Sequence, residues 1–491
     1  MTKPGRNDAC PCGSCKKYKK CCLAKDERQV LLRKRVAKIT RADFVSEPYK
    51  KCPKCGKPTF GVTLHTGGGN YSRECTSCWH TENYNLPEIK KKVIYLDQFF
   101  ISNIAKALDP DARSHAKVLT NPFWEEVYRK LDVLSKQNLI SCPDSSFHTD
   151  ESLMSGDPPY DTLNEVYEHL SQGCTFFDHN TITRFQTISH FQNYLNGHPE
   201  KPLVLRAEDV VHGRLHEWTG RMRIGVNMRP YDGQLEGIHK ERKGQFVGLK
   251  KVFERWQTEK EKSFGDWFRE EGYAFGEGTI KAHVKYLQQR AALPQKLAED
   301  YLHGKEPDIF TEGMFPPPSS EIISDMLREL RAHGLEGEEA LKRISEYMRS
   351  KHILDIPVNH ISAMLFAGIA RKAAHGQKEP PNAGTVTDIN AIASLLPYCD
   401  AIFVDNVMAA LLNEQPIKKE VEKYGTKVFS LNTKTQFLQY LDEIGREASA
   451  SHLEAVADAY GKPEPYMTLL INKKRRAEDE RLFEEKDAQY T

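Results

Sequence analysis

TVTDINAIASLLPYCDAIFVDN, residues 385–406, carries a helix pattern, a strand pattern and two aspartates. The first half predicts an apolar helix with Asp388 at its start. The second half predicts a short buried strand, AIFV, with Asp405 at its far end. Because an aspartate just past a buried strand is held by the rigid sheet, it can meet acids from the ends of other strands. The segment therefore predicts part of an acidic metal site.

Three other segments predict strands of the same sheet. Residues 93–96 form a continuous apolar, β-branched run that ends at Asp97, and residues 139–143 follow a helical segment. Residues 426–431 predict the last strand, with another helix after it. Strands that alternate with helices indicate an α/β fold with a parallel sheet and flanking helices. Right-handed crossovers bring the carboxyl ends of such strands to one edge.

The loop after the second strand, DSSFHTDES, offers a further acid for this edge. Glu151 is the preferred residue, and Asp144 is its rival. Asp400, just before the AIFV strand, fits a turn residue better than a fifth acid. A single aspartate at a strand end or helix start has a local explanation as a cap. The interpretation therefore depends on the order of all the acids together.

That joint order of strands and acids resembles the PIN domain, a nuclease fold whose members cut RNA with three or four carboxylates and divalent metal. The resemblance covers residues 92–158 and 355–445, and Gln98 departs from the small polar residue that usually follows the first acid. It implies hydrolytic cleavage of RNA. It also implies four catalytic acids that bind magnesium or manganese: Asp97, Glu151, Asp388 and Asp405.

The residue types alone indicate a site for divalent cations. Clustered carboxylates repel one another unless cations neutralise them, and oxygen ligands without clustered His or Cys favour magnesium or manganese over zinc. Such ions can orient and deprotonate a water for attack on a phosphodiester. The same chemistry works on DNA, so a DNA nuclease is one alternative. Another is a catalytically inactive, zinc-dependent adaptor that binds RNA, ribosomes or a protein partner.

The amino-terminal region is basic and rich in cysteine. Residues 1–60 contain 17 Lys or Arg against 5 Asp or Glu, whereas the whole chain has a net charge of +2. Nine of the twelve cysteines lie between Cys10 and Cys78. Because the opening segment has no apolar signal region, this clustering favours metal ligation over disulfide bonds.

The first cysteine cluster, GRNDACPCGSCKKYKKCC, closely resembles the SEC-C motif. This short zinc-binding module occurs at the C-terminus of the bacterial preprotein-translocase motor and in unrelated bacterial proteins. The match covers residues 4–23, within a predicted module of residues 1–25, and Cys15 stands in place of the usual glycine. The predicted ligands of a structural zinc ion are Cys10, Cys12, Cys21 and Cys22.

Two CxxC pairs separated by nineteen residues predict a zinc ribbon over residues 49–86. The segment between them predicts a hairpin with a glycine-rich tip at residues 67–69. Four thiolates complete the set without His65 or His80. The predicted ligands are Cys52, Cys55, Cys75 and Cys78. A basic, helix-like linker over residues 26–48 is either a solvated face or a contact for phosphates.

Residues 159–354 predict a mostly helical insertion, with a possible short strand at 174–177. Between residues 206 and 256, basic and aromatic residues interleave, which fits amphipathic helices with an aromatic core or a track for RNA. The aromatic residues are Trp218, Tyr231, Phe246, Phe253 and Trp256. The RNA interpretation predicts contacts from Arg221, Arg223 and Arg229. The charged residues 446–491 predict a frayed helix or a tail.

Composition favours a soluble protein of two to four domains, with 39% apolar and 28% charged residues and no apolar run long enough for a membrane span. We therefore expect a cytoplasmic protein without a membrane segment. The leading prediction is a metal-dependent endoribonuclease whose PIN-like domain is split by the helical insertion. Its two zinc modules are expected to recruit RNA, a ribosome or a protein partner.

Overall fold

The computed structural model describes residues 7–8, 10, 12, 16–23, 40–63, 67–148, 160–220, 232–304 and 314–461. The chain divides into two compact units. The first comprises Met1–Pro87, Gly220–Arg223 and Ser451–Lys462, and the second comprises Glu88–Thr219, Ile224–Ala450 and Pro463–Thr491. None of the described helices combines the length and apolar character that crossing a membrane requires.

The first unit contains an antiparallel sheet in the order β1-β2-β3-β4. Its strands are β1 Val45–Lys50, β2 Phe60–Thr63, β3 Asn70–Cys75 and β4 Thr81–Asn85. The β2–β3 hairpin has its tip at the predicted glycines, where Gly67 and Gly68 adopt φ angles of 98° and 104°. These left-handed angles favour glycine, because they leave no room for a Cβ atom without strain. The predicted hairpin between the two CxxC pairs is present.

The predicted linker helix over residues 26–48 is wrong at its carboxyl end. Residues 24–39 lie outside the described residues, but Arg41–Phe44 is a short 3₁₀ helix and β1 follows it directly. Val45 pairs with Thr63 of β2, and its side chain is buried. Pairing across the sheet overrides the helical tendency of the basic segment because it buries apolar surface.

A buried arginine joins the ribbon sheet to a terminal helix, Ala450–Tyr460. Arg73 is 1% exposed, and its guanidinium donates to the carbonyl oxygens of Pro48, Phe60 and Asp458 at 2.7, 3.0 and 2.5 Å. Lys50 also pairs with the Asp458 carboxylate at 2.6 Å. Part of the predicted tail, up to residue 461, is thus a docked helix, and residues 462–491 lie outside the described part.

The second unit is built on a parallel sheet in the order β10-β9-β5-β6. The strands are β5 Lys92–Leu96, β6 Ile140–Ser141, β9 Ala401–Phe403 and β10 Lys427–Phe429. Each overlaps a segment that the sequence predicts as a strand, with β5 beginning one residue earlier than predicted, and the α/β class is confirmed. A further pair, β7 Thr175–Phe176 and β8 Val211–His212, is antiparallel. Thr175 forms an isolated parallel bridge to Asp144 in the loop after β6, so this two-stranded sheet lies beside the end of β6.

The helices of the second unit cover both faces of the sheet. They are α1 Gln98–Leu108, α2 His115–Leu119, α3 Phe123–Lys136, α4 Tyr160–Ser171, α5 His179–Leu195, α6 Asp232–Thr258, α7 Phe264–Leu302, α8 Pro318–Ala332, α9 Gly337–Met348, α10 Pro357–Ala374, α11 Thr385–Leu395, α12 Asn406–Leu412, α13 Ile417–Glu422 and α14 Lys434–Glu447. Four short 3₁₀ helices are described in this unit: Ala207–Asp209, Lys351–Asp355, Leu396–Tyr398 and Leu431–Thr433. A further one, Tyr18–Lys20, lies in the first unit.

Alternation along β5 separates two cores. Ile94 and Leu96 face a core formed with α1, α3, α4 and α14. Val93 and Tyr95 face a larger core that includes α5, α10, α11 and the helices of the predicted insertion. Successive side chains of a strand point to opposite faces, so a fully apolar strand must be covered on both sides. The unit is therefore a helix–sheet–helix sandwich.

The predicted boundary at residue 159 differs from the structure. Helix α4 buries Leu163 and Val166 in the core beneath the sheet, and β7 bridges to the loop after β6. The remaining insertion helices share the other core, so the described helices of the insertion belong to the second unit and do not form a separate domain. Their amphipathic faces find apolar partners on the sheet side, which a count of helices cannot reveal.

Three of the five aromatic residues proposed as an RNA track are buried, and two of them, Phe253 and Trp256, belong to this core. Trp218, Phe253 and Trp256 are at most 2% exposed and cannot stack on a base without unfolding the layer. The interpretation as an aromatic core is the correct one for these three residues. Tyr231 lies outside the described residues, as do the three predicted RNA-contacting arginines, Arg221, Arg223 and Arg229.

Candidate metal centres and acid site

The first cysteine tetrad is held together by a short backbone loop. Cys10 N–H donates to the Lys16 carbonyl at 2.9 Å, and Tyr18 N–H donates to the Asp8 carbonyl at 2.8 Å. This return of the chain brings the CxC pair to the CC pair. The sulfur atoms of Cys10, Cys12, Cys21 and Cys22 all lie within 4.8 Å of one another. Cys15 lies outside the described residues.

The second tetrad, Cys52, Cys55, Cys75 and Cys78, meets the same criterion. Its Cys52–Cys78 and Cys55–Cys75 sulfur distances are both 3.6 Å. Zinc–sulfur bonds of about 2.3 Å in a tetrahedron place the sulfurs roughly 3.8 Å apart. The donor set and spacing therefore fit structural zinc, with four thiolates at each site.

The turns after the two CxxC pairs of the ribbon are alike but use different residues. Gly56 N–H donates to the Cys52 carbonyl at 2.9 Å, and Trp79 N–H donates to the Cys75 carbonyl at 2.8 Å. Both residues have left-handed backbones, with φ angles of 72° and 58°. His80 bonds Glu82 at 2.9 Å and is outside the thiolate set, as predicted. His65 lies outside the described residues.

The parallel sheet brings several predicted acids to its carboxyl edge. Leu96 of β5 is in register with Phe403 of β9, so the residues that follow both strands are neighbours. Asp97 N–H donates to the Phe403 carbonyl at 3.0 Å, and its carboxylate accepts from Gln98 N–H at 2.7 Å. Asp405 caps α12 and accepts from the backbone N–H groups of Val407 and Met408 at 2.6 and 2.8 Å.

Asp97 and Asp388 line the same cavity. Asp388 lies in the first turn of α11, as predicted, and its side chain approaches the end of β5. The cavity has a volume of about 10 Å³, which is roughly the space that one water molecule needs. The other lining residues are Tyr95, Gln98, Phe147, His148, Thr387 and Ala391. The cavity thus has the carboxylate donors and the size for a single cation or water.

His148 links this cavity to Asp144. Its Nε2 atom donates to the Leu96 carbonyl at 2.8 Å, and its Nδ1 atom lies 3.1 Å from the Asp144 carboxylate. Both ring nitrogens of His148 therefore contact partners in the protein. The ring is 2% exposed and stacks between Tyr95 and Tyr167, at centroid distances of 5.3 and 4.8 Å. Its position is therefore fixed on every side.

The complete four-acid cluster is not assembled within the described residues. The two cysteine tetrads are the groups of three or more His, Cys, Asp or Glu with ligand atoms within 4.8 Å. Glu151 lies outside the described part, and Asp405 does not line the cavity. Asp400 lies at the opposite edge, where it accepts from Val93 N–H and pairs with Lys92, both at 2.8 Å. The preferred interpretation of Asp400 as a turn residue agrees with this position.

Two features of this edge were missed in the sequence. His148 had a usable signal, because it follows Asp144 by four residues on one turn of helix. Gln98, which departs from the resemblance, is buried and accepts a hydrogen bond from the Tyr167 hydroxyl. Tyr167 comes from α4, which the sequence assigned to the insertion, so that contact could not be anticipated.

Comparison with known proteins identifies the amino-terminal module alone. The SEC-C motif family matches residues 6–24. A segment of 26 residues is 77% identical to the protein translocase subunit SecA of Desulforudis audaxviator (strain MP104C). This segment covers 5% of the present chain and 3% of that protein. No solved structure matches the chain. The chain therefore contains a SEC-C motif in its first unit, and the comparisons leave the second unit unassigned.

Proposed function

We propose that the second unit is a PIN-like, divalent-metal-dependent nuclease that cleaves RNA at the carboxyl edge of its parallel sheet. The observation that carries this proposal is the shared cavity of Asp97 and Asp388, which come from positions almost 300 residues apart in the sequence. Two aspartates that line one water-sized cavity are favoured as a pair when a cation neutralises their charges. Their proximity supports a cation site at this edge.

Asp97 and Asp388 would hold the cation, with Asp144 and Asp405 at the neighbouring strand ends. A bound magnesium or manganese ion orients and activates a water and stabilises the leaving oxygen. His148 bridges the Leu96 carbonyl and the Asp144 side chain at this edge. Tyr95 and Tyr167 hold the ring in place. The first unit, with its two thiolate tetrads and basic surroundings, would recruit RNA or a partner.

The test is cleavage of a 5′-labelled single-stranded RNA by the zinc-loaded chain in magnesium or manganese. Asp97→Asn and Asp388→Asn should each lower the cleavage rate by roughly a hundredfold. Asn retains the shape of Asp and can cap a helix almost as well, so folding should be unchanged. Asp400→Asn is the matched control, because this acid lies at the opposite edge, and it should cleave like wild type.

Three outcomes separate the candidate functions. Cleavage that depends on Asp97 and Asp388 supports the nuclease. RNA that is bound but left intact by wild type and variants alike would overturn it in favour of the inactive adaptor. Cleavage of a single-stranded DNA of the same sequence, at an equal or higher rate, would replace RNA by DNA as the substrate.

A further inference from the structure

A second cavity of about 220 Å³ lies between four helices of the second unit. Its polar lining comprises side chains from α5, α7, α10 and α11: His179, Thr183, Glu271, Asn359, Ser362 and Asn390. Phe275, Val358 and Phe366 supply apolar walls. The cavity adjoins the acid site, because the His179 ring is 6.4 Å from that of Phe147, which lines the acid cavity.

The proton on His179 can be assigned from its hydrogen bonds. The Ser394 hydroxyl donates to the Asn390 carbonyl at 2.7 Å, so its oxygen must accept from His179 Nδ1–H, also at 2.7 Å. Burial lowers the pKa of His179 to about 4, which keeps the ring neutral. Its Nε2 atom is then a bare acceptor, and no other hydrogen bond to the ring exists among the described residues.

Asn359 presents a second acceptor. Its amide nitrogen donates to the carbonyls of Gly272 and Ile353 at 3.0 and 2.8 Å, which uses both protons. Its amide oxygen therefore remains available and has no partner in the described part of the chain. Glu271 adds a carboxylate with a side chain 20% exposed, and burial raises its pKa. Three helices thus point acceptors at one space.

The chemistry of this lining selects its ligand. A complementary molecule must have a flat apolar body for the phenyl walls and adjacent N–H donors for the acceptors. A small cation fits less well, because Arg255 lies 3.9 Å from Glu271 and offsets its charge. Adenine and cytosine each present a single amino group beside a ring acceptor. Guanine presents an N–H and an amino group side by side, which a carboxylate can accept together.

We propose that this cavity binds a guanine base, with Glu271 accepting from its ring N–H and amino group and with His179 and Asn359 as further acceptors. The base can come from a free guanine nucleotide or from an RNA strand. Recognition of an unpaired base through its donor edge and stacking on aromatic side chains is common in RNA-binding sites. The proposal does not depend on cleavage at the acid cavity.

The experiment is equilibrium binding of guanosine monophosphate to the zinc-loaded full chain, measured by titration calorimetry without magnesium or manganese. Inosine monophosphate is the matched ligand, because it lacks the amino group alone. We expect it to bind at least about tenfold more weakly, and adenosine monophosphate more weakly still. Glu271→Gln should weaken guanosine monophosphate by a similar factor. Glu277→Gln is the control variant in the same helix, since Glu277 pairs with Arg349 at 2.7 Å and does not line the cavity, and it should bind normally.

A short RNA containing one guanosine distinguishes the two sources. If this RNA binds more tightly than guanosine monophosphate and loses affinity when inosine replaces the guanosine, the base comes from a strand. If the free nucleotide binds more tightly and the RNA shows no such loss, the ligand is a nucleotide. Equal binding of guanosine and inosine monophosphates would overturn the proposal. So would unchanged affinity for guanosine monophosphate in a Glu271→Gln protein with the melting temperature of wild type. Displacement of the nucleotide by an equal concentration of agmatine, a guanidinium compound without a base, would also overturn it.

Discussion

Replacing Gly276 by alanine should destabilise the second unit, although alanine favours helices. Gly276 lies inside α7, where an added Cβ atom would be 1.9 Å from the Met348 carbonyl oxygen and 3.0 Å from a methyl group of Ile353. The first contact is with backbone, so α7 must move away from the end of α9. This close approach is what joins the insertion helices into one layer.

The magnitude follows from two opposing effects. Overpacking of this kind costs about 3 kcal/mol, and the higher helix propensity of alanine returns about 1 kcal/mol. Gly276→Ala should therefore lose about 2 kcal/mol of unfolding free energy. Gly278→Ala is the matched control in the same helix, because nothing lies within 4 Å of its added Cβ atom. It should gain about 1 kcal/mol.

The assay is urea denaturation of the zinc-loaded chain, followed by the fluorescence of the buried tryptophans of this layer. If the unfolding free energy of both variants depends on urea concentration with the same slope, the difference between their midpoints reports the change in stability. A Gly276→Ala protein as stable as Gly278→Ala would show that α7 and α9 do not approach closely. The insertion would then be a looser appendage than the packing indicates.

Three further predictions concern charge and metal. Between pH 6.5 and 4 the unfolded chain binds a proton at His179 that the folded chain excludes, so the free energy of unfolding should decrease by up to about 3 kcal/mol as the pH is lowered. His179→Gln should flatten the dependence of this free energy on pH in that range. An unchanged slope would contradict a buried, neutral His179. Arg73→Met should destabilise the first unit by about 3 kcal/mol, because the carbonyl groups that Arg73 binds lose their donor, and the temperature at which the unit releases zinc should fall. Lys50→Met removes an exposed ion pair to the same helix and should cost no more than about 1 kcal/mol. Equal effects of the two substitutions would refute the role of the buried arginine. Metal analysis should find two zinc ions per chain and one in Cys22→Ser or Cys78→Ser; a loss of both ions in either variant would refute independent tetrads.

The sequence predicts the parallel sheet well because its strands are short, apolar runs bounded by acids. Local properties are displayed directly by a sequence. They include the apolar runs at residues 93–96 and 401–404 and the position of Asp388 at the start of its helix. The cysteine tetrads are predictable for the same reason, since ligand spacing is local. These features account for the scaffold of the candidate sites.

The parts that could not be predicted depend on contacts between distant segments. Arg73 meets Asp458 across more than 380 residues, and Ser394 fixes the proton of His179 across more than 210. The burial of Trp256 likewise follows from the packing of the insertion against the sheet, whereas the sequence left an aromatic core and an RNA track both open. Sequence periodicity shows that a helix has an apolar face but not which partner covers it.

Binding of manganese to the zinc-loaded chain tests the acid site most directly, because it does not require the right nucleic acid. The electron paramagnetic resonance signal of free Mn²⁺ should decrease when wild type or Asp400→Asn protein is added, because these proteins bind manganese. The same titration should show that Asp97→Asn and Asp388→Asn have lost it, with both zinc ions still present. Equal manganese binding by wild type and these two variants would contradict a cation site at the carboxyl edge of the sheet, and with it the proposed nuclease.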